Sequence, residues 1–268
     1  MRENNMKQIE QLMQLDCDYI KSFSHSEITK EGMYFYNKEM STYYDVNHAH
    51  IWREIKDPQS LLLDIKKFYE AKGLVPRLYL YSLEENQHCI EALQEQGFQY
   101  ETFIDDIQCW NGKFVQLSPA PEIQIERVTE ANLSEALAIE MSITTFGEPA
   151  LIKEAFLRTY HSPHFKYYLL RVSGVACCTA NVFITKKQGR IESVATLESY
   201  RGQGLISYLL HHIQKESVKE ALEQLWILPI SEQVAKVYAK SNFESVGKIS
   251  SIHAFTEGKS IQEIRQAN

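Results

Sequence analysis

The sequence predicts an α+β fold: a mixed, largely antiparallel central sheet with helices on both faces, built as two tandem copies. Three observations predict it. Amphipathic runs of helical period alternate with short runs rich in β-branched and aromatic residues. Turn signals such as Ser173-Gly174 join neighbouring strand-like runs directly, as hairpins do. Two blocks also match, "NQHCIEALQEQGFQYETFIDDIQCW" and "SEQVAKVYAKSNFESVGKISSIHAF". Each reads as a helix, a turn ending in Phe and a strand ending in an aromatic. Phe98 and Trp110 fall on Phe243 and Phe255 at a constant offset, which suggests a duplication.

The elements follow in order. Residues 4–24 carry Ile9, Leu12, Met13, Leu15 and Ile20 on one helical stripe. Strand-like runs follow at Met33–Tyr36 and Thr42–Ile51. Asp57-Pro58 reads as an N-cap followed by proline at the first helical position. That helix carries Leu61, Leu62, Ile65 and Phe68 and stops near Gly73. Arg77–Tyr81 is a strand, Glu84–Gln96 a helix and Tyr100–Trp110 an alternating strand. Pro119 and Pro121 interrupt the polar stretch 111–122, which places a boundary between residues 1–116 and 117–268.

The pattern then restarts. Strands are expected at Ile123–Val128, Lys166–Val172, Val175–Ile184, Arg190–Leu197, Leu225–Ile230 and Ser245–Phe255. Helices are expected at Leu133–Met141, Pro149–Tyr160 and Ser231–Ser241. A further long helix has Leu205, Leu209, Ile213, Val218 and Leu222 down one side.

Composition bounds the function. The chain has 268 residues, 44% hydrophobic and 24% charged, which suits a globular protein with a real core. A net charge of −7 argues against a general nucleic-acid binder and mildly favours cationic partners. Cys17, Cys89, Cys109, Cys177 and Cys178 are scattered and odd in number, indicating neither a disulfide framework nor a zinc site. Cys177 and Cys178, adjacent in a strand, are expected on opposite faces. No run is long and apolar enough to span a bilayer, and the polar start lacks a signal core, so the expectation is a cytoplasmic protein.

The chemistry sits in "RIESVATLESYRGQGLISYLLHHI", residues 190–213: strand, short loop, glycine-rich turn, helix. Two close glycines let the backbone turn tightly and approach a ligand. The free amides and dipole of the helix's first turn then attract an anion, and Arg201 adds a forked cation. A P-loop is excluded because Leu205-Ile206 follows Gly204 where Lys-Ser/Thr is required. A dinucleotide fold lacks its acid, since the next strand ends in Leu228-Pro229-Ile230.

The segment resembles motif A of the GNAT superfamily of N-acetyltransferases, whose signature is Q/R-x-x-G-x-G/A after a strand ending in a Val-x-Thr-like sequence. Val194-Ala195-Thr196 matches the strand end, and Arg201 and Gly204 match the first signature positions. Ile206 stands where Gly or Ala is usual. The resemblance covers roughly residues 122–265 and implies the acyl-CoA N-acyltransferase fold. It further implies that acetyl-CoA, as co-substrate, lies between two parallel strands that splay apart, Arg190–Leu197 and Leu225–Ile230. Val194, Ala195 and Thr196 would meet the pantetheine arm, and Arg201, Gly202, Gln203, Gly204, Leu205, Ile206 and Ser207 the phosphates.

"VYAKSNF" resembles the family's L-Y-x-x-x-G-F, so Tyr238 falls on the tyrosine that protonates the departing thiolate. Asn242 replaces its glycine, and Asn also tolerates a left-handed helix end. Ser231 reads as an N-cap. Glu192, expected on the same strand face as Val194, is the candidate base.

His211 and His212 read as surface histidines. His48 and His50 share a strand face but lack a third ligand, so no metal is expected. In the first half Lys56-Asp57-Pro58-Gln59 replaces the glycine turn and Leu93 replaces Tyr238, so residues 1–116 read as a copy that has lost the site. The expected activity is transfer of an acetyl group to a primary amine by direct attack. The acceptor is a small-molecule or peptide amine, selected by the loop Thr144–Pro149 and the first half. A non-catalytic acyl-CoA sensor or assembly module is the alternative, and a wholly structural protein a third reading. Neither nucleic acid nor membrane is an expected partner, and either a monomer or a homodimer is compatible.

Overall fold

The computed structural model describes residues 2–81, 86–143 and 148–266. The chain divides into two compact units that are interleaved in sequence: residues 1–18 with 106–248, and residues 19–105 with 249–268. The strands β5 (Gln99–Trp110) and β11 (Phe243–Phe255) are each divided between the units.

The unit holding residues 106–248 contains β6 (Ile123–Arg127), β7 (Phe165–Val172), β8 (Val175–Thr185), β9 (Gln188–Thr196) and β10 (Gln224–Ile227). Their order is β10-β9-β8-β7-β6, with the end of β5 beyond β10. From β6 to β9 the pairing is antiparallel. The hairpins are tight because Ser173 (φ 49°), Gly174 (φ 83°), Lys186 (φ 46°) and Lys187 (φ 62°) take the left-handed conformations that two-residue turns need. From β9 the chain crosses over through the helix Leu205–Lys219 to β10, which pairs parallel to β9. The segment Gln108–Cys109 of β5 then closes the sheet against β10.

One face of this sheet places Tyr168, Leu170, Val182, Ile191, Leu225 and Ile227 against Leu205, Leu209, Leu210 and Ile213 of the crossover helix. Alternate residues face the other way. Tyr167 meets Phe156 of the helix Pro149–Tyr160, ring centroids 4.6 Å apart, and shares a 2.5 Å hydrogen bond with the Thr159 hydroxyl. The expected α+β sheet with helices on both faces is therefore what this unit forms.

Strict alternation fails at two bulges. Leu170 pairs with Cys178 but Arg171 with Ala176, so Cys177 is the extra residue of β8. Cys177 and Cys178 consequently both enter one core cluster, their sulfurs 4.0 Å apart, rather than facing opposite sides as alternation predicted. The second bulge lies in β9, at the candidate site.

The other unit contains β1 (His25–Ile28), β2 (Gly32–Tyr36), β3 (His48–Ile51) and β4 (Arg77–Tyr81), in the order β1-β2-β3-β4, closed by the end of β11. Here β3 and β4 pair in parallel across the helix Pro58–Glu70, and Ser251–Phe255 of β11 pairs antiparallel to β4. The core beneath that helix is Ala49, Ile51, Leu61, Leu62, Ile65, Leu78, Leu80, Ile252 and Ala254. The expected strand 42–51 shrinks to His48–Ile51. Asn37 accepts from the amides of Glu39 and Met40, and Asn47 donates to the carbonyls of Met40 and Tyr43, folding residues 37–47 into turns.

Both units thus follow one plan: an antiparallel meander, a parallel crossover through a helix, and an antiparallel closing strand. Each closing strand segment comes from the other half of the sequence.

Candidate active site

The turn Arg201–Gly204 lies between the end of β9 and the helix Leu205–Lys219, as the sequence placed it. Gly202 (φ 76°) and Gly204 (φ 74°) are left-handed, a conformation that explains glycine at both positions, and space around both is open. Gly204 is the helix N-cap and supplies no side-chain bond, so the first-turn amides are not capped by a side chain. Arg201 Nε donates to the Thr196 carbonyl at 3.2 Å, and Gln203 Nε2 donates to the Ser199 carbonyl at 3.2 Å. The first bond ties the turn to the end of β9, and the second ties it to the segment Glu198–Tyr200 that follows. Leu205 is buried, Ser207 is half-buried, and Ile206 packs against the core cluster.

The equivalent helix start in the other unit is closed. Asp57 accepts from the Ser60 amide at 3.0 Å, and Pro58 fills the first helical position. A carboxylate thus stands at this helix N-terminus, where its charge would repel an anion.

The parallel pairing of β9 and β10 runs from Gln188–Gln224 to Ile191–Ile227 and ends there. Among the described residues the ladder continues no further, although β9 runs on to Thr196 on its β8 side. The backbone of Glu192–Thr196 therefore forms no ladder with the Leu228-Pro229 continuation, and Pro229 has no amide to pair.

β9 also bulges here. Thr179 pairs with Ala195 but Asn181 with Glu192, which inserts one residue, and Ser193 takes φ 51°. This corrects the expectation that Glu192 and Val194 share a face. Val194 packs with the cluster containing Ile191, whereas Glu192 bonds to Arg190. Arg190 in turn bonds to Asp16 of the helix Arg2–Lys21. Burial raises the Glu192 carboxyl above the usual range, and the Arg190 guanidinium opposes that rise.

Tyr238 lies on the helix Glu232–Ala239, whose N-cap Ser231 accepts from the Val234 amide. The helix end at Asn242 is left-handed (φ 59°), as its glycine-like role required. Burial pushes the Tyr238 phenol well above its ordinary value, and the nearby charge of Glu192 adds to the effect. The Tyr238 phenol thus lies within the field of the Glu192 carboxylate.

Other sequence candidates fall elsewhere. His211 and His212 are half-buried rather than superficial: His211 packs on Phe114 and His212 on Tyr168. Burial lowers both. They line a groove of about 270 Å³ with Leu117, Ile123, Ile125 and Lys215, which does not include the glycine turn. His48 Nε2 and His50 Nδ1 approach to 3.3 Å, and no group of three metal-ligating residues exists among the described residues. All five cysteines are buried thiols outside any disulfide. Of the loop Thr144–Pro149, residues 144–147 lie outside the described residues. No helix among the described residues is long and apolar enough to cross a membrane. Sequence reasoning missed Asp16, which carries no motif and reaches the site only through a helix distant in sequence.

Residues 135–243 match the family model described as the Acetyltransferase (GNAT) family. This segment is a GNAT domain. It spans the glycine turn, β9, β10 and Tyr238. Over 86% of its length the chain resembles a functionally unknown conserved protein from Staphylococcus epidermidis, covering 93% of that chain at 15% identity and a TM-score of 0.70. A GCN5-related N-acetyltransferase from Kribbella flavida is similar over 89% of this chain and 92% of its own, at 16% identity and a TM-score of 0.66. At these identities the likeness concerns the fold, the acyl-CoA N-acyltransferase fold. No curated protein matches the sequence. The GNAT domain supports acyl transfer as the general chemistry.

Proposed function

We propose that the protein is an N-acetyltransferase that moves the acetyl group of acetyl-CoA to a primary amine, with a small-molecule amine favoured over a peptide. The observation that carries this reading is the opened pair of β9 and β10 ending beside an uncapped glycine turn. The pyrophosphate would lie on the amides of Gly202–Ser207 beside Arg201. The pantetheine arm would run along the backbone of Val194, Ala195 and Thr196, in the gap beyond Ile191 and Ile227.

The neutral amine attacks the thioester carbonyl, whose developing charge is met by strand amides. The C–N bond forms as the C–S bond breaks. Glu192 takes the amine proton and Tyr238 gives one to the thiolate. Residues 117–268 are the catalytic copy and residues 1–116 a copy without the CoA site. The shared plan of the two units and the Asp57 cap support that division.

One observation favours a second reading, a non-catalytic acyl-CoA binder. A phenol held as tightly protonated as Tyr238 is a weak donor to a thiolate. Turnover separates the two. We expect CoA release from acetyl-CoA with at least one member of an amine panel, reduced in Tyr238→Phe. Acetyl-CoA binding with no release across the panel would establish the binder, and absence of any acetyl-CoA thermal shift would sink both.

A further inference from the structure

Three adjacent strands carry a polar row. Tyr167 on β7 pairs across to Asn181 on β8, and Asn181 pairs across to Glu192 on β9. Cross-strand partners share a sheet face, so these side chains line one side, opposite the crossover helix. A fourth contribution comes from far away in sequence. Arg190 donates through Nε to Glu192 and through Nη1 to Asp16, which stands on the helix Arg2–Lys21. The Arg190 side chain is only 11% exposed, so both bonds are shielded from the solvent that weakens surface pairs.

We propose that Asp16 and Arg190 are positioning residues for Glu192, so that the helix Arg2–Lys21 supplies part of the reaction centre of the GNAT domain. The inference rests on the reading of Glu192 as the proton acceptor. A buried carboxylate in that role must be ionised at working pH, yet basic enough to take a proton from an ammonium. Arg190 meets the first need by stabilising the charge. Asp16 meets the second, because it shares the guanidinium and adds a negative charge nearby.

The other groups facing Glu192 do not duplicate this balance. Asn181 is an uncharged amide. Tyr167 is hydrogen-bonded to Thr159, and both Tyr167 and Tyr238 are held in the neutral form by burial. Glu140, near Tyr167, is likewise kept protonated by burial. Among the described residues, the charged partners of Glu192 on its own and facing elements are therefore Arg190 and Asp16.

The test uses the full chain carrying carboxyl-labelled glutamate. The Glu192 carbon resonance is assigned by its loss in Glu192→Gln and titrated in each variant. Asp16→Asn is expected to lower the midpoint by about half a pH unit or more, and Arg190→Met to raise it by about one unit. Arg190→Lys keeps the charge and should stay near the parent. The acid limb of kcat/KM with a reactive amine should move in the same two directions, with KM for acetyl-CoA unchanged. A purely structural role would alter stability without opposite shifts. If Arg190→Met fails to fold, Asp16→Asn and Arg190→Lys carry the comparison. Midpoints that stay put, or move together, in a chain that still turns over would overturn the inference. Opposite midpoint shifts in a chain that never turns over would instead overturn the enzyme reading.

Discussion

Ile191 and Ile227 are the last partners of the parallel pair formed by β9 and β10. Both side chains lie in the core cluster beneath the crossover helix, so the strands are locked together up to this point. Beyond it β9 keeps its partner on one side, while its other edge loses the ladder. The helix that follows β9 begins at an uncapped glycine. A strand edge without a ladder partner and a helix start without a side-chain cap are thereby placed in succession along the chain.

Gly204→Asp should weaken acetyl-CoA binding by tenfold or more, about 1.4 kcal/mol. Aspartate tolerates the left-handed conformation of Gly204 better than most residues, so the fold should survive. The new carboxylate would stand at the helix N-terminus, as that of Asp57 does in the other unit, and repel phosphate. Calorimetric titration with acetyl-CoA checks the affinity, and circular dichroism the fold.

Tyr238→Phe should lower kcat by roughly a hundredfold, the scale of a single general acid, while leaving KM for acetyl-CoA near the parent value. Its raised value also fixes a pH expectation. The phenol stays protonated throughout the usual assay range, so activity lost on raising the pH to about 9, below the phenol reference near 10, is not due to Tyr238 ionising. A basic limb that disappears in Tyr238→Phe would contradict this.

Glu140 is buried, and its Oε1 has no hydrogen-bond partner. Burial raises its carboxyl far above the usual range. The folded state therefore binds a proton that the unfolded chain releases above about pH 4.3. Its contribution is complete below that pH and is lost as pH rises towards the folded value. Glu140→Gln should accordingly raise Tm at pH 8, on the order of 3 °C, and make little difference at pH 4. Thermal melts at the two pH values decide it.

Glu101 accepts from the amides of Ile261 and Gln262 at 2.7 and 3.1 Å and bonds to His253 Nδ1 at 2.8 Å. Glu101→Ala should cost about 2 kcal/mol, the scale of buried bonds to a charged group. It should also speed amide exchange in the helix Ile261–Gln266. His253 is lowered to about 4, chiefly by burial. The unfolded chain thus takes up a proton near pH 6.5 that the folded chain resists, and stability falls as pH drops from about 6.5 to about 4. Exchange rates at Ile261, and denaturant midpoints across that range, check both statements.

Much of the site was legible in local sequence because its parts are local. Glycines at 202 and 204 report left-handed turns, Ser231 and Asp57 report helix starts, and Asn242 reports a helix end. Each is set by backbone geometry within a few residues. The strand expected over 42–51 was overestimated because Asn37 and Asn47 bond backbone groups up to fourteen residues away. Tyrosine-rich composition alone does not reveal those bonds.

The sequence by itself determined the element types, the glycine turn, the placing of Tyr238 on a helix, and the closed helix start at Asp57-Pro58. Tertiary structure decided what alternation could not: which face Cys177 and Glu192 take, and where β9 parts from β10. It also decided that Gln108–Cys109 and Ser251–Phe255 each close a sheet formed mainly by the other half, and that Asp16 meets Arg190. The reason is physical. Helix periods and caps are written in neighbouring residues, whereas a bulge, a ladder's end or a buried ion pair depends on what a distant strand or helix presents at that position.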